Sequence, residues 1–439
     1  MLNIEDIKKA VAESAEKYGA EGYEISIESS TSAGAEALKQ EISTVSYSRS
    51  GSIDVRCVKG GKSGYASSEL VSADEAAELV RRACENALTV DDEDEVPLFP
   101  GSEKYEDVKP ELFDIPSADE MKAHTMSLQE KTYAASDKIV DGTQCFTGCA
   151  ASEEAFLNSA GLSLTYESSI VYHGVYAAVK DGDEASEDYE MAILGKESDD
   201  ETVKRAVDTA LAKLGAEAVP SGKYNIILDS STMRSLLGVY SSIFSARSAF
   251  LKTTLLAGKE GEKIASDILT ICDDPFHPAK FGKCPFDGEG VAVYKKNVIE
   301  NGVLKTLLYN RMYAKKLGKE TTGNASSAKG ISPKGLYIEP GKYTSEALLA
   351  KLGDGLYITT LKGLHAGANV QSGDFSLEAE GFLVKGGEKV SPVKNITVAD
   401  NFYSLIKKVV ALSDTVDFGT TGRVGAPDVM FEDIAVSGK

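Results

Sequence analysis

One order of predicted helices and strands occurs twice in the first half of the chain, and this repetition constrains the fold more than any other feature. In each copy an amphipathic helix precedes alternating strands, and a second amphipathic helix follows them. In the second copy, capping boxes formed by Ser117 with Glu120 and by Ser198 with Glu201 open the two helices. We therefore expect a duplicated α+β domain, with antiparallel sheets and helices on one face.

Turn-forming residues predict where the strands of this domain end. Gly60 and Gly61 indicate a hairpin, and residues 49–51, Arg-Ser-Gly, predict an earlier turn between two strands. In the second copy we expect strands at 139–149 and 154–157, followed by a turn at 158–161.

The two copies are separated by an acidic segment that begins DDEDE and contains four prolines. Such a composition does not hold regular structure. The segment is either an interaction strap or a solvated linker, and its charge favours the solvated linker. The expected division of the chain is a first repeat, a linker, a second repeat and a β-rich C-terminal domain, at residues 1–90, 91–116, 117–219 and 220–439.

The second half of the chain is rich in predicted strands. A continuous apolar run at 224–228 predicts a buried strand, and 233–253 has the spacing of one amphipathic helix. Shorter helices are expected at 313–317, 345–352 and 401–412, among short strands and turns. This pattern is typical of a β-rich domain with a barrel-like or sandwich-like form.

Composition excludes several classes of function. The formal net charge of −21 disfavours binding to nucleic acid and to anionic membrane surfaces. Uncharged apolar-rich runs reach about 12 residues, whereas a membrane span needs roughly 20. The N-terminus predicts a charged helix and not a signal peptide. Six scattered cysteines do not form a disulfide framework. A cytoplasmic protein with reduced thiols is expected.

Sequence spacing gives no metal motif. No histidine lies within five residues of another, which excludes a helical His-x-x-x-His pair. Cys145 and Cys149 are a close pair, but on a strand they lie about 13 Å apart, too far for a disulfide or a shared zinc ion. They are interpreted as ordinary buried thiols.

Two groups of residues have the composition of a site. His365 lies between glycines with Asp374 nearby, and it is either a base or ligand in a cleft or a turn histidine that bonds local backbone. Asp287 and Glu289 flank a glycine in an acidic loop. Paired carboxylates there could bind a cation or a peptide N-terminus, or could be solvated acids of a type I or II turn.

The segments PFDGEGVAVYKKNVIENGVLKTLLYN, YAKKLGKETTGNA and ITTLKGLHAGANVQSGDFSLEAEGFLVKGGEKVSPVKNITVADNF resemble the TldD/PmbA family. In the first half, YEISIESSTS and SGSIDVRCVKGGKSGYASS extend the resemblance to nearly the whole chain. Family members are known as metalloprotease subunits, and the net charge argues against their older label as modulators of DNA gyrase. Turn-rich positions within these motifs are the expected substrate-binding residues: His365, Asn369, Asp374, Asn324, Asp287 and Glu289.

The resemblance also separates two branches of the family. The TldD-like branch carries His-Glu-x-x-x-His on a helix and a cysteine near the C-terminus as zinc ligands. The equivalent helix here reads RSLLGV at 234–239, and residues 418–425 contain no cysteine. This pattern is similar to the PmbA (TldE) branch, which pairs with a TldD-type subunit. The resemblance therefore implies a chain without catalytic residues, zinc ligands or another cofactor.

These observations predict a non-catalytic subunit that dimerises with a TldD-like zinc-bearing chain, or with itself, and helps to enclose an extended peptide. Two alternatives remain open at this stage. One is an independent hydrolase that uses His365, Asp374 and His277. The other is a homodimeric binding or scaffold protein with no role in proteolysis.

Overall fold

The computed structural model describes residues 4–90, 96–327, 330–420 and 422–439. Its helices are α1 Ile4–Tyr18, α2 Ala73–Ala87, α3 Ala118–Ala135, α4 Asp199–Ala212, α5 Ser230–Tyr240, α6 Ala246–Phe250, α7 Arg311–Leu317, α8 Ser345–Leu352, α9 Leu364–Gly367 and α10 Phe402–Leu405. No helix in these ranges is both long enough and apolar enough to cross a bilayer.

Strands β1–β6 form a single antiparallel sheet in the order β3-β2-β1-β4-β5-β6. Their bounds are β1 Gly22–Leu38, β2 Glu41–Lys59, β3 Lys62–Ser68, β4 Gln144–Asn158, β5 Ser163–Asp181 and β6 Glu184–Ile193. The first strand of each copy, β1 and β4, pair along almost their whole length at the centre of the sheet. Each copy then continues outward, which confirms the duplicated α+β architecture.

The helices of the two copies start where the capping signals predict. Ser117 and Ser198 each accept a hydrogen bond from the backbone N–H three residues later, and Glu120 and Glu201 bond back to them. The four helices pack on the strands: α1 and α2 bury apolar side chains against β1 and β2, while α3 and α4 lie over β4 and β5.

Two of the strand predictions are wrong. Residues 49–51 form no turn, because they lie within β2 and pair with residues 29–31 of β1. The two expected strands at 139–149 and 154–157 are the single strand β4. In both cases a long neighbouring strand supplies backbone partners to residues that favour turns in isolation. The turn at Asn158–Gly161 is confirmed, since it joins β4 to β5.

The connector between the copies is described from residue 96 onward. Its first five residues lie outside the described part of the chain, and residues 96–116 have no helix or strand. The backbone N–H of Phe99 donates to Glu24 Oε1 at 2.7 Å, and the Tyr105 hydroxyl donates to the Gly290 carbonyl at 2.8 Å. This part of the connector is mostly exposed, as expected of a linker, and it also hydrogen-bonds to both halves of the molecule.

The C-terminal half contains a closed barrel and a smaller sheet. Strands β7 Gly222–Leu228, β12 Gly355–Lys362, β13 Asp374–Lys385, β14 Glu388–Asn401 and β17 Val429–Ser437 form a ring, because β17 pairs with both β7 and β14. The smaller sheet contains β8 Ile271–Asp273, β9 Lys296–Glu300, β10 Val303–Leu304, β11 Leu336–Ile338 and β16 Val424–Gly425. The β-rich, barrel-like prediction is confirmed.

Two helix predictions in this half need correction. The expected helix at 233–253 is α5, a turn of 3₁₀-helix at Ser241–Phe244, and α6. Ser245 ends the 3₁₀-turn in an extended conformation and caps α6 through its hydroxyl. The expected helix at 401–412 is only α10, after which β15, Val409–Leu412, pairs with β17. Its β-branched valines favour that strand.

Candidate functional site

The acidic turn that contains Asp287 is built around the Asp287 carboxylate. The side chain accepts hydrogen bonds from the backbone N–H groups of Glu289, Val291 and Ala325 at 2.9, 3.0 and 2.8 Å. Only 2% of the residue is exposed. The two acids are therefore not solvated as in an open surface turn, and the turn is an internal feature of the fold.

Glu289 is buried beside Asp287. Its Oε2 accepts from the backbone N–H of Arg311 at 2.8 Å. Burial raises the pKa of Glu289 to about 8, and the neighbouring charge of Asp287 adds to this rise. The Arg311 guanidinium donates from Nη1 to Glu24 Oε1 at 2.9 Å, which connects the loop to the N-terminal sheet.

Asn324 lies next to this loop and is fully buried. Its Nδ2 donates to Asp273 Oδ2 at 2.7 Å, and its Oδ1 accepts from Thr322 Oγ1 at 2.7 Å and from Lys296 Nζ at 3.3 Å. Lys296 also pairs with Asp273 at 3.2 Å. All of these polar atoms satisfy one another, so the network positions the backbone of the loop.

The acidic loop lies at the junction between the N-terminal sheet and the C-terminal half. A small cavity of about 160 Å³ is lined there by Glu24, Arg56, Glu289, Arg311 and Met312, among others. Gly290 contacts Phe156 of β4 so closely that an added Cβ would lie 2.6 Å from the ring. Any role of Asp287, Glu289 and Asn324 in substrate binding stays a prediction, and the contacts show a joint between two halves.

His365 lies on α9, Asn369 lies in the turn that follows it, and Asp374 is the first residue of β13; all three are exposed. Asn369 Oδ1 accepts from the backbone N–H groups of Gln371 and Ser372, and Asp374 Oδ1 accepts from Asn401 Nδ2 at 2.8 Å. Among the described residues no hydrogen bond joins His365 to Asp374. Their role also stays a prediction.

His277, the third residue of the hydrolase alternative, packs in an aromatic cluster elsewhere. Its ring centroid lies 4.7 Å from that of Tyr337 and 4.9 Å from that of Phe418. Its Nδ1 accepts from the backbone N–H of Ala279 at 3.2 Å. These contacts explain the position of the His277 ring, and none of them joins it to His365 or Asp374.

Helix α5 packs against the loop that precedes β16. Asp229 caps the helix by accepting from the backbone N–H of Thr232 at 2.7 Å. Arg234 pairs with Asp417 through Nη1 and Oδ2 at 2.5 Å. Gly419 has a φ of +55°, and an added Cβ would lie 2.1 Å from Arg234 Nη1. The backbone of this loop therefore lies directly against the Arg234 guanidinium.

An open cleft runs past the N-terminal end of α5, between the second repeat and the barrel. It has a volume of about 670 Å³, and its walls include Asp188, Tyr189 and Glu190 of β6, together with Ser231 and Thr359. A second cavity of about 250 Å³ adjoins it and is lined by Ser231, Thr232 and Ser235 of α5 and by 359–362 of β12. Burial raises the pKa of Asp229, on the cleft wall, to about 7.

Sequence reasoning missed this cleft. Its residues come from three distant parts of the chain, and β6 was not predicted as a strand. A signal existed: Tyr189, Met191 and Ile193 alternate with other residues after the glycine turn at Gly182. In the described structure β6 is the last strand of its sheet, and three of its residues line the cleft.

Comparisons with known proteins agree with these observations. Three family models match: PmbA/TldA metallopeptidase domain 1 at residues 23–87, the central domain at 111–214, and the C-terminal domain at 221–438. Together they cover the two repeats and the barrel region.

Individual relatives match over long stretches. A metalloprotease of Methanothermobacter thermautotrophicus is 32% identical over 67% of this chain and 66% of its own length. A PmbA metalloprotease homologue of Haemophilus influenzae is 25% identical over 99% of this chain and 96% of its own. The crystal structure of TldE from Thermococcus kodakarensis superposes with a TM-score of 0.88 at 25% identity, over 99% of this chain and 100% of that one. The chain belongs to the PmbA/TldD metallopeptidase family.

Proposed function

We propose that the chain is a TldE-type, non-catalytic subunit that binds an extended peptide beside a TldD-like, zinc-bearing partner. The observation that carries this proposal is the packing of α5 against Asp417, Gly419 and β16. These are the two segments that supply the zinc ligands in the TldD-like branch. Here the facing side chains are Arg234 and Asp417, which form an ion pair.

The chemistry of the α5 region supports this proposal. A catalytic zinc ion needs three protein ligands and an open position for water. Helix α5 contains no histidine, glutamate or cysteine. The guanidinium of Arg234 is always charged and would repel a metal ion at the same place. The family fold is therefore kept without the means to activate water.

The cleft supports the peptide-binding part of the proposal. An exposed strand edge offers unpaired N–H and C=O groups to an extended peptide, which can add as a further strand. The outer edge of β6 provides such groups along one wall, while Ser231 and Thr359 provide hydroxyl groups on the other.

Co-assembly with a partner is the first test. The chain and the TldD-like chain of the same organism are purified separately and mixed, and cleavage of an unfolded fluorogenic peptide is followed. We expect cleavage by the mixture and none by this chain alone, together with a heterodimer in sedimentation velocity. Cleavage by this chain alone would contradict the proposal. A homodimer of this chain that does not bind the TldD-like chain would favour the scaffold alternative.

The cleft is tested by filling it. Ser231→Trp places an indole in the cleft, and Ser404→Trp makes the same change at an exposed position on α10 as a control. We expect a drop in peptide affinity of at least about tenfold for Ser231→Trp, measured by fluorescence anisotropy, and no change for the control. Equal peptide affinities for the two variants would show that the peptide binds outside the cleft.

The cytoplasmic location is also part of the proposal. The free cysteines of the described structure include five buried thiols. Burial raises the pKa of Cys145 to about 11, so its thiol stays protonated and unreactive. Thiols of this kind are compatible with a reducing compartment.

A further inference from the structure

Three side chains that could bind a metal ion meet inside the second repeat. His124 is on α3, His173 is on β5, and Asp199 is the first residue of α4. One ligand atom from each lies within 4.8 Å of the other two. His124 Nε2 is 3.1 Å from Asp199 Oδ1, and His173 Nδ1 is 4.0 Å from the same oxygen. The three residues are up to 75 positions apart in the chain, so no spacing motif in the sequence predicts that they meet.

The remaining nitrogen of each ring is held by a threonine. His124 Nδ1 lies 2.8 Å from Thr147 Oγ1, and His173 Nε2 lies 3.0 Å from Thr202 Oγ1. Thr202 Oγ1 in turn lies 3.3 Å from the Ser198 carbonyl, to which it can donate. Outer partners of this kind fix the orientation and tautomer of histidine ligands in metal sites.

One nitrogen in this group has no partner. His173 is fully buried, and its Nδ1 is among the few buried side-chain atoms of the described structure without a hydrogen bond. Leaving a buried polar atom unpaired costs about 1–3 kcal/mol, so native structures seldom keep one without a reason. This nitrogen is also the one that lies nearest to Asp199 Oδ1. A cation between them would satisfy both atoms.

We propose that His124 Nε2, His173 Nδ1 and Asp199 Oδ1 form a site for a divalent transition-metal ion, with zinc as the preferred ion. Two imidazoles and one carboxylate suit zinc better than magnesium or calcium, which take oxygen ligands. Ligand atoms around a tetrahedral zinc lie about 3.3 Å apart for bonds of about 2.0 Å. The observed distances need only small side-chain movements to reach that geometry.

The surrounding charges permit this site. Lys131 Nζ contacts Asp199 Oδ2 at 3.1 Å and Asp200 Oδ1 at 2.9 Å, which leaves Oδ1 of Asp199 for the metal. Arg205, further along α4, pairs with Glu190 and Glu197 and is thereby neutralised. The first turn of α4 carries Asp199, Asp200 and Glu201, which offset the positive end of its dipole.

A fourth ligand position is open to water. His173 is inside the protein, whereas the side chains of His124 and Asp199 are 24% and 18% exposed. A bound ion would join α3, β5 and α4, so its first effect is to hold the second repeat together. The proposal does not rest on the peptide-binding function, because it concerns a different part of the molecule and its test measures binding of metal alone.

The test uses the full chain, freed of metal with a chelator and titrated with Zn²⁺ in a calorimeter and with Co²⁺ in a spectrophotometer. We expect one equivalent of Zn²⁺ to bind. We expect Co²⁺ to give the visible bands of a tetrahedral nitrogen–oxygen site, without the near-ultraviolet band of thiolate ligands. The variants His124→Gln and Asp199→Asn should each weaken binding at least about tenfold.

Two further variants keep the result interpretable. Thr147→Val removes only the hydroxyl beside His124 Nδ1 and should weaken binding about tenfold while all three ligands remain. His365→Gln changes an exposed histidine and should bind zinc like the unmodified chain. Any one of three results overturns the proposal: no saturable binding of zinc, a thiolate band with Co²⁺, or full binding of zinc by the double variant of His124→Gln with Asp199→Asn.

Discussion

The two copies of the N-terminal unit share one architecture but bury different chemistry. The first packs an almost entirely apolar core, which includes Ile7, Val11, Leu79 and Val80. The second buries polar side chains between its helices and its sheet: Thr125, Gln129, Thr132, Thr147, His173 and Thr202. Since the first copy folds without such a layer, the architecture does not require one. The polar layer is an addition to the second copy, and two of its members, Thr147 and Thr202, contact the proposed metal ligands.

The copies also meet the C-terminal half in different ways. In the first, Arg56 Nη1 donates to Glu24 Oε2 at 2.6 Å, and Arg311 reaches the same carboxylate, so buried charges seal the contact. In the second, β6 faces the barrel across the open cleft. The contact of the first copy is therefore charged and closed, whereas the second copy packs Phe156 and Tyr166 on Phe286 and also leaves an open cleft. The predictions below test this difference.

The largest effect is expected at the sealed contact. Arg56→Ala leaves Glu24 buried with a partner removed, which should lower the free energy of unfolding by about 3–5 kcal/mol. In the second copy, Lys213 pairs with Asp188 at 2.7 Å on the cleft wall. Lys213→Ala should cost less, about 1–2 kcal/mol, because water in the cleft can solvate Asp188. Urea unfolding measures both variants, and equal losses would remove the distinction between a sealed and an open contact.

A pH-dependent effect is expected next, at the same contact. Burial raises the pKa of Glu289 from its ordinary 4.5 to about 8, so the folded state keeps a proton that the unfolded state releases in this range. Stability from this group is present at low pH and is lost as pH rises toward 8. Glu289→Gln should remove this loss, which we expect to exceed about 1 kcal/mol.

The measurement for Glu289 is urea unfolding at about pH 5 and about pH 8.5. The exposed Glu16 provides a matched control, since Glu16→Gln should leave the pH dependence unchanged. A Glu289→Gln variant with the same pH dependence as the original chain would show that the carboxyl group is ionised in the folded state.

The smallest effect is expected in the polar layer, with metal absent. His173→Leu exchanges a buried ring with an unpaired nitrogen for an apolar side chain of similar volume. Removing that unpaired atom offsets the lost hydrogen bond to Thr202, so the free energy of unfolding should change by less than about 1 kcal/mol. Thermal unfolding of the metal-free chain measures this. A loss above about 2 kcal/mol would mean that packing alone requires the histidine.

Features set by local chemistry could be predicted from the sequence. The capping box of Ser198 with Glu201 is present as expected, because it needs only three residues of spacing. The hairpin turn at Gly60 and Gly61 is also present between β2 and β3, with φ values of +59° and +69° that glycine tolerates. The family resemblance identified the fold of nearly the whole chain.

Features set by distant residues could not be predicted. Residues 49–51 have turn chemistry, but pairing with β1 outweighs it. The sequence left open whether Asp287 and Glu289 bind a ligand or are solvated acids, because nothing nearby in sequence shows that Phe156 and Arg311 cover the loop. His124, His173 and Asp199 meet only after the second repeat has folded. A local pattern cannot contain contacts of this kind.

The closed ring of the barrel has a consequence for the order in which the molecule is made. Strand β7 lies between β12 and β17, so its two neighbours leave the ribosome more than 120 residues after it does. The N-terminal sheet, whose six strands precede β7, can form while those residues are still being synthesised. The apolar side chains of β7, Ile226 and Leu228 among them, therefore lack at least one neighbouring strand until Val429–Ser437 has been made. During synthesis of the barrel there is thus a period in which chaperones can bind strand β7.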